Sequence, residues 1–298
     1  MIKKSFLKKS IPYMFRTLNY FLQSLFVYLF FFIGRILGIN LSRKFFSGMF
    51  ILIGPFFKSN KIINKNLKIF SSTISLKEKS RIVKDMWSNY GKTFIEYIFL
   101  NRFRRENKFV ILDGEENLLQ IAKENKPVIF ISGHFANFEL MSMEITKRNI
   151  SLATIYRPLN NIFLNPFMEF LRRKYVCKNQ IKKGINGVRE TIEFIKKNHC
   201  IALMIDQRIS EGEKINLFNQ PALTTTLPSQ LSIKFNLEIV PVYIERIKDN
   251  KFKIEFQKRI NPKNFRDKLE LSRELNKVLE KMILRNPGQW IWTHNRWK

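Results

Sequence analysis

The residue types best suited to chemistry fall in one short stretch, Pro-Val-Ile-Phe-Ile-Ser-Gly-His-Phe-Ala-Asn-Phe-Glu at 127–139. An apolar run ends in Gly133 and His134, and a helical pattern begins a few residues later. That puts His134 at the carboxyl end of a strand, where open α/β sheets hold ligand-binding and catalytic groups. The chain has three histidines, at 134, 199 and 294, so one in this setting is informative, although a lone loop histidine is often structural. On a continuous helix His134 and Glu139 point about 140° apart, so they meet only across a bend. With His134 in the turn and Glu139 in the first helical turn, the carboxylate accepts a hydrogen bond from one imidazole nitrogen. The other nitrogen is then free to act as a general base. Arg157 follows a predicted strand, and its planar guanidinium suits a two-pronged phosphate contact, with a surface salt bridge as the plainer reading. Asp206, at another strand end, either orients Arg157 or a substrate hydroxyl, or caps a loop. Cys177 and Cys200 are in no metal-binding or disulfide spacing and read as buried thiols in a reducing compartment.

These groups need a scaffold. Short apolar runs at 109–112, 127–132, 151–156, 201–205, 239–244 and 252–256 read as strands. Between them 116–124, 138–147, 162–175, 188–197 and 229–235 read as helices. A helix over 75–100 precedes them, with Ser75 and Glu78 spaced as a capping box and Ile82, Met86, Tyr90, Phe94 and Ile98 at i, i+4. Another over 267–284 carries Leu271, Leu275, Val278, Leu279 and Met282 on one face and stops at Pro287 and Gly288. The alternation predicts an α/β fold with a mostly parallel central sheet flanked by helices.

The amino terminus differs. Lys3, Lys4, Lys8, Lys9 and Arg16 precede an apolar stretch at 18–34, near the short limit for a membrane span and without a signal-peptide cleavage pattern. A second apolar patch at 45–57, broken by Gly48, Gly54 and Pro55, reads as interfacial or buried. A hydrophobic core helix is the competing reading of 18–34, and basic residues on both sides of it leave its orientation open. The expected division is a membrane-anchoring segment at 1–58 and a catalytic domain at 59–298. The net charge of +29 implies an anionic partner, although a chain this rich in Lys, Ile, Asn and Phe carries part of that excess as solvated surface. No nucleic-acid motif is present. Trp290, Trp292, Arg296, Trp297 and Lys298 mix rings and cations as interface anchors do, and equally as a tail docked on the core does.

The Gly-His-Phe-Ala-Asn-Phe-Glu stretch resembles the His-four residues-acidic signature of the lysophospholipid acyltransferase superfamily, and its Glu variant is similar to the lipid A biosynthesis lauroyl/myristoyl acyltransferases. Tyr156-Arg157-Pro158 with Asn160 and Asn161, Met204 to Arg208, Phe218 with Ala222 and Thr224 to Thr226, and the end from Gln289 to Lys298 resemble further blocks of that family in order and spacing. Phe138 stands where the family usually has Trp, and Ile205 where it commonly has Pro. The resemblance implies a glycerol-3-phosphate acyltransferase-like fold and acyl transfer, without a metal or cofactor, from an acyl carrier protein thioester to a hydroxyl of a lipid A precursor of the Kdo-modified lipid IVA type. It implies His134 and Glu139 as catalytic and Asn137, Arg157, Asp206, Gln207 and Arg208 as substrate-binding. It also implies late, secondary acylation at the anionic surface of a bacterial inner membrane, with the catalytic domain on the cytoplasmic side and no nucleic acid as partner. The alternatives are a glycerolipid acyltransferase, whose Asp and Pro-Glu-Gly-Thr block are missing, and a non-enzymatic basic membrane-binding protein.

Overall fold

A computed structural model describes residues 2–58 and 60–298, with side chains described from Met14 onward except at Phe57 and Asn250. The side chains of Lys3, Lys4, Lys8 and Lys9 lie outside the described residues.

Strands β1 (Val110–Asp113), β2 (Ile129–Ser132), β3 (Leu152–Tyr156), β4 (Asn179–Lys182), β5 (Cys200–Met204), β8 (Ile239–Arg246) and β9 (Phe252–Phe256) form one sheet in the order β1-β9-β8-β2-β5-β3-β4, and β6 (Glu213–Leu217) and β7 (Gln220–Thr224) form a separate hairpin. Every neighbouring pair in the large sheet is parallel except β8 with β9. The mostly parallel α/β architecture expected from the sequence is therefore the one observed.

Helices α1 (Ile2–Phe57), α2 (Asn60–Phe70), α3 (Leu76–Glu96), α4 (Leu100–Arg105), α5 (Glu115–Glu124), α6 (Glu139–Lys147), α7 (Asn165–Tyr175), α8 (Ile185–Lys196), α9 (Leu227–Phe235) and α10 (Lys268–Arg285) complete the chain. Both faces of the sheet are covered, and successive strand residues serve opposite cores. Phe130, Val240 and Val242 join a core with α6 and α7, while Ile129, Ile131, Ile239 and Tyr243 join one with α10 and the C-terminal tryptophans. The near-continuous apolar character of β2 and β8 follows from this two-sided burial. Ser75 caps α3 as expected, its Oγ accepting the Glu78 N–H at 3.1 Å.

The two apolar patches of the amino terminus are one long helix bent at Gly38, whose φ of 70° only glycine adopts readily. The bend frees carbonyls from the helical ladder, and the Ser42 hydroxyl lies 2.7 Å from Gly34 O and 2.6 Å from Gly38 O. On both sides of the bend α1 packs on α3. A Cβ on Gly91 would sit 2.1 Å from Phe46 O, so only glycine allows that approach. Phe31, Phe46 and Phe50 surround the Phe94 ring at centroid distances of 5.1, 5.7 and 5.4 Å. Before the bend the helix presents Phe15, Leu18, Leu22, Phe26, Phe32 and Ile36 to the outside. By length and composition, Met14–Phe56 is long and apolar enough to cross a membrane.

Candidate active site

Two adjacent parallel strands build the centre of the site. Ser132 at the end of β2 is paired with Met204 at the end of β5, and the ladder closes with Ile205 N–H donating to Ser132 O at 2.9 Å. His134 and Asp206 each lie two residues beyond this pair, so the register brings them side by side. The His134 Nδ1 to Asp206 Oδ1 distance is 2.7 Å, and the His134 backbone N–H donates to Asp206 Oδ2 at 2.8 Å. Trp290 Nε1 donates to the same Oδ2 at 2.9 Å. Asp206 is wholly buried, and burial alone would push its carboxyl up. The imidazole and these donors outweigh burial and hold it below the usual carboxylate range. The His134 ring responds in the opposite sense. Burial pulls its pKa down, but the Asp206 charge and hydrogen bond more than offset it and raise it above the ordinary imidazole value. With Asp206 ionised, Nδ1 is the protonated nitrogen and Nε2 keeps the lone pair of a general base.

His134 lines a cavity of about 600 Å³ between the sheet and helices α6 and α7. It is lined by Thr154 and Ile155 from β3, Ala202 to Met204 from β5, Met141 and Ser142 from α6, and Val176 just past the end of α7. Arg157, Lys58 and Lys183 lie at its edge.

Residues 9–298 match the bacterial lipid A biosynthesis acyltransferase family. The chain belongs to that family. It is 25% identical over 256 residues, 82% of this chain and 80% of the relative, to the lipid A biosynthesis palmitoleoyltransferase of Escherichia coli (strain K12). It is 22% identical over 249 residues, 80% of this chain and 78% of the relative, to the lipid A biosynthesis lauroyltransferase of the same organism. Among solved structures it is similar to the 1-acyl-sn-glycerophosphate acyltransferase of Thermotoga maritima, with 15% identity, a TM-score of 0.41 and coverage of 91% of this chain and 99% of the other. The protein is thus an acyltransferase, and the non-enzymatic reading of its charge falls away.

The acyltransferase does not pair His134 with Glu139 as the sequence suggested. The bend expected between them is present, with Ala136 at a φ of 44°, but it turns Glu139 toward α7. There Glu139 Oε1 accepts from Arg172 Nε at 2.7 Å and from Tyr97 Oη at 2.7 Å, and Arg172 Nη2 reaches Tyr97 Oη at 3.1 Å. Glu139 and Arg172 still line the cavity with His134. Asp206, expected to orient Arg157 or a hydroxyl, instead orients the imidazole. Arg157 stands exposed at the cavity edge, and no hydrogen bond or ion pair joins it to the described residues. Gln207 also lines the cavity.

Asn137 and Arg208 are not among the cavity-lining residues. Asn137 is buried, and its Nδ2 donates to Glu96 Oε2 at 2.9 Å within an ion cluster. The Arg208 backbone N–H donates to His294 Nε2 at 2.8 Å, and its Nε is buried without a partner. Sequence reasoning missed Arg172, Tyr97, Trp290 and His294. Arg172, in α7, and Tyr97, in the turn just after α3, carry no local signal. Trp290 and His294 sat in the C-terminal block, whose rings suggested an interface anchor. Of the block's two readings the structure bears out the docked tail, because Trp290, Trp292, Arg296 and Trp297 are buried against the core. Arg296 Nη2 donates to Thr224 Oγ1 at 2.8 Å, and Trp297 Nε1 to Leu217 O at 3.1 Å.

Proposed function

We propose that this enzyme transfers a fatty acyl group from an acyl carrier protein thioester to a hydroxyl of a lipid A precursor of the Kdo-modified lipid IVA type, in late, secondary acylation, with no metal or other cofactor. The observation that carries the reading is the His134–Asp206 pair opening onto a cavity whose lining includes Met141, Ile155, Ala202, Leu203 and Met204. His134 Nε2 takes the acceptor's hydroxyl proton as the oxygen attacks the thioester carbon, and Asp206 holds the tautomer and stabilises the imidazolium. Collapse of the tetrahedral adduct expels the thiolate, which takes that proton from His134. Glu139, with Oε1 held by Arg172 and Tyr97, keeps Oε2 without a hydrogen-bond partner among the described residues and accepts a hydrogen bond from a substrate hydroxyl. The relatives named as lipid A palmitoleoyl- and lauroyltransferases support the acceptor class. The decisive experiment is mass spectrometry of lipid A from cells with and without the gene, paired with transfer of labelled acyl groups from acyl-carrier protein to the precursor in detergent. An unchanged lipid A profile together with no transfer sinks the reading.

The exposed apolar stripe before Gly38 supports anchoring at the bacterial inner membrane, with the catalytic domain on the cytoplasmic side, where the acidic carrier protein and anionic lipid both suit a chain of +29. Deleting residues 2–34 is expected to shift much of the protein to the soluble fraction while activity on detergent-dispersed substrate persists, since His134 and Asp206 lie far along the chain. Full retention in the membrane pellet after a high-salt wash would place the anchor elsewhere.

Arg157 is positioned to hold a phosphate of the acceptor or of the carrier's pantetheine arm. Arg157→Lys keeps the charge but loses the fork, and a drop of about tenfold in kcat/KM is expected, the scale of one charge-assisted hydrogen bond of roughly 1.5 kcal/mol. The loss should appear mainly in KM. If removing the acceptor's phosphate hurts wild type and variant equally, Arg157 serves the carrier instead.

A further inference from the structure

His294 is a cavity-lining group that the reaction as described above leaves unused. Its Nε2 accepts the Arg208 backbone N–H at 2.8 Å. A backbone amide has no other polarity to offer, so Nε2 must carry the lone pair and Nδ1 the proton. Burial and the nearby charges of Arg296 and His134 keep this ring's pKa below the ordinary imidazole value, against the pull of Asp206. It is therefore a neutral N–H donor at neutral pH. No described residue accepts a hydrogen bond from its Nδ1.

The addition step needs such a donor, because the thioester carbonyl oxygen becomes an oxyanion as the carbon turns tetrahedral. The amides nearest the base are already committed. The His134 N–H donates to Asp206 at 2.8 Å, the Phe135 N–H to Gly133 O at 2.8 Å, and the Ala136 N–H to Gln289 O at 3.2 Å. The same C-terminal segment that supplies Trp290 to Asp206 supplies His294 to the cavity.

We infer that His294 is a catalytic residue whose Nδ1–H, fixed in its tautomer by the Arg208 amide, donates to the thioester oxygen as negative charge develops there. The acceptor oxygen bonds to the carbonyl carbon and its proton passes to His134. The carbonyl π pair moves onto the oxygen held by His294, then returns as the carbon–sulfur bond breaks. This inference rests on the acyl-transfer reading proposed above.

The test uses the full-length enzyme in detergent with acyl-carrier protein thioester and the lipid A precursor. His294→Ala is expected to lower kcat about 10²-fold, the loss typical of one oxyanion donor, with KM nearly unchanged and the acid limb of the pH profile in place. His294→Asn sets an amide N–H at the same distance along the side chain as Nδ1 and should recover much of the lost kcat. If His294→Ala unfolds the tail in a thermal melt, the Asn variant alone decides: folded and active supports the donor, folded and as slow as His134→Ala overturns it. A His294→Ala enzyme within threefold of wild type overturns the donor and leaves the role to the amides of Phe138 or Glu139. A wild type that transfers no acyl group overturns the acyl-transfer reading and this inference with it.

Discussion

His134→Ala is expected to reduce kcat by roughly 10²- to 10⁴-fold, the range supplied by a positioned general base, while the protein stays folded because Asp206 keeps the residue-134 backbone N–H and Trp290 Nε1 as donors. Asp206→Asn should fall in the same range for a different reason. The amide can donate to Nδ1, which selects the wrong tautomer and puts the proton on Nε2, where the lone pair is needed. The double variant should be little worse than either single, since both remove one working unit. A double variant as slow as the product of the two single losses separates the two residues. Glu139→Ala combined with His134→Ala should show weaker coupling, because Glu139 is bonded to Arg172 and Tyr97 rather than to the imidazole.

The pH profile gives a second reading of the same pair. His134 must be neutral to accept a proton, and its pKa lies above the ordinary 6.5 because Asp206 outweighs burial. The acid limb of kcat/KM should therefore fall above pH 6.5 in the wild type. Removing the Asp206 charge leaves burial, which favours the neutral ring, so the residual activity of Asp206→Asn should have its acid limb moved to lower pH. A limb that stays in place means that another group titrates there.

The sequence singled out His134 but not the carboxylate that meets it, and the reason is geometric. The proximity of His134 to Glu139 along the chain is a local property, whereas the pairing of His134 with Asp206 depends on β2 and β5 being neighbours in register, 72 residues apart. Periodicity locates strands without giving their order. Both residues were marked as strand ends, and only the register joins them. Six strands of the large sheet were legible as apolar runs, and in β2, β3, β5 and β8 the run follows from near-continuous burial. The seventh, β4, is one of the two edge strands and reads Asn-Gln-Ile-Lys, and β6 and β7 form a hairpin with exposed polar positions, so none of the three had a hydrophobic signature. The apolar amino terminus was read as two pieces because its glycines look like breaks. In the structure Gly48 and Gly54 stay helical and only Gly38, outside both pieces, takes a positive φ. Arg43 gave no signal at all, since a buried arginine differs from a surface one only by its partners.

Those partners define the largest expected loss of stability. Glu96 is fully buried at the end of α3 and receives Arg43 Nε at 2.6 Å, Arg246 Nη1 at 2.5 Å and Asn137 Nδ2 at 2.9 Å. One carboxylate thus serves two buried guanidiniums, and the cluster carries a net charge of +1. Glu96→Gln raises it to +2 with no counter-charge and should cost about 3–5 kcal/mol, the usual scale for an orphaned buried charge. Arg43→Met lowers it to zero and leaves the Glu96–Arg246 pair intact, so its cost should be clearly smaller, the more so because Arg43 Nη2 already lacks a partner. Burial pushes the Glu96 carboxyl up, but Arg246 and Arg43 outweigh it and hold its pKa below the ordinary 4.5. A depressed pKa stabilises the fold above the unfolded value, so the contribution is complete above about pH 4.5 and is lost as pH falls below it toward the folded pKa. The Glu96→Gln protein should therefore lose less stability than the wild type on acidification through that window. Asn137, three residues after His134, shares the cluster, and Thr93 Oγ1 holds Ala136 O at 2.9 Å, so a loosened Glu96 also slackens the loop that carries His134. Chemical melts of Glu96→Gln and Arg43→Met in one detergent would decide. Equal costs for the two, or a Glu96→Gln protein within 1 kcal/mol of wild type, would mean that the charges are relieved by water rather than by one another.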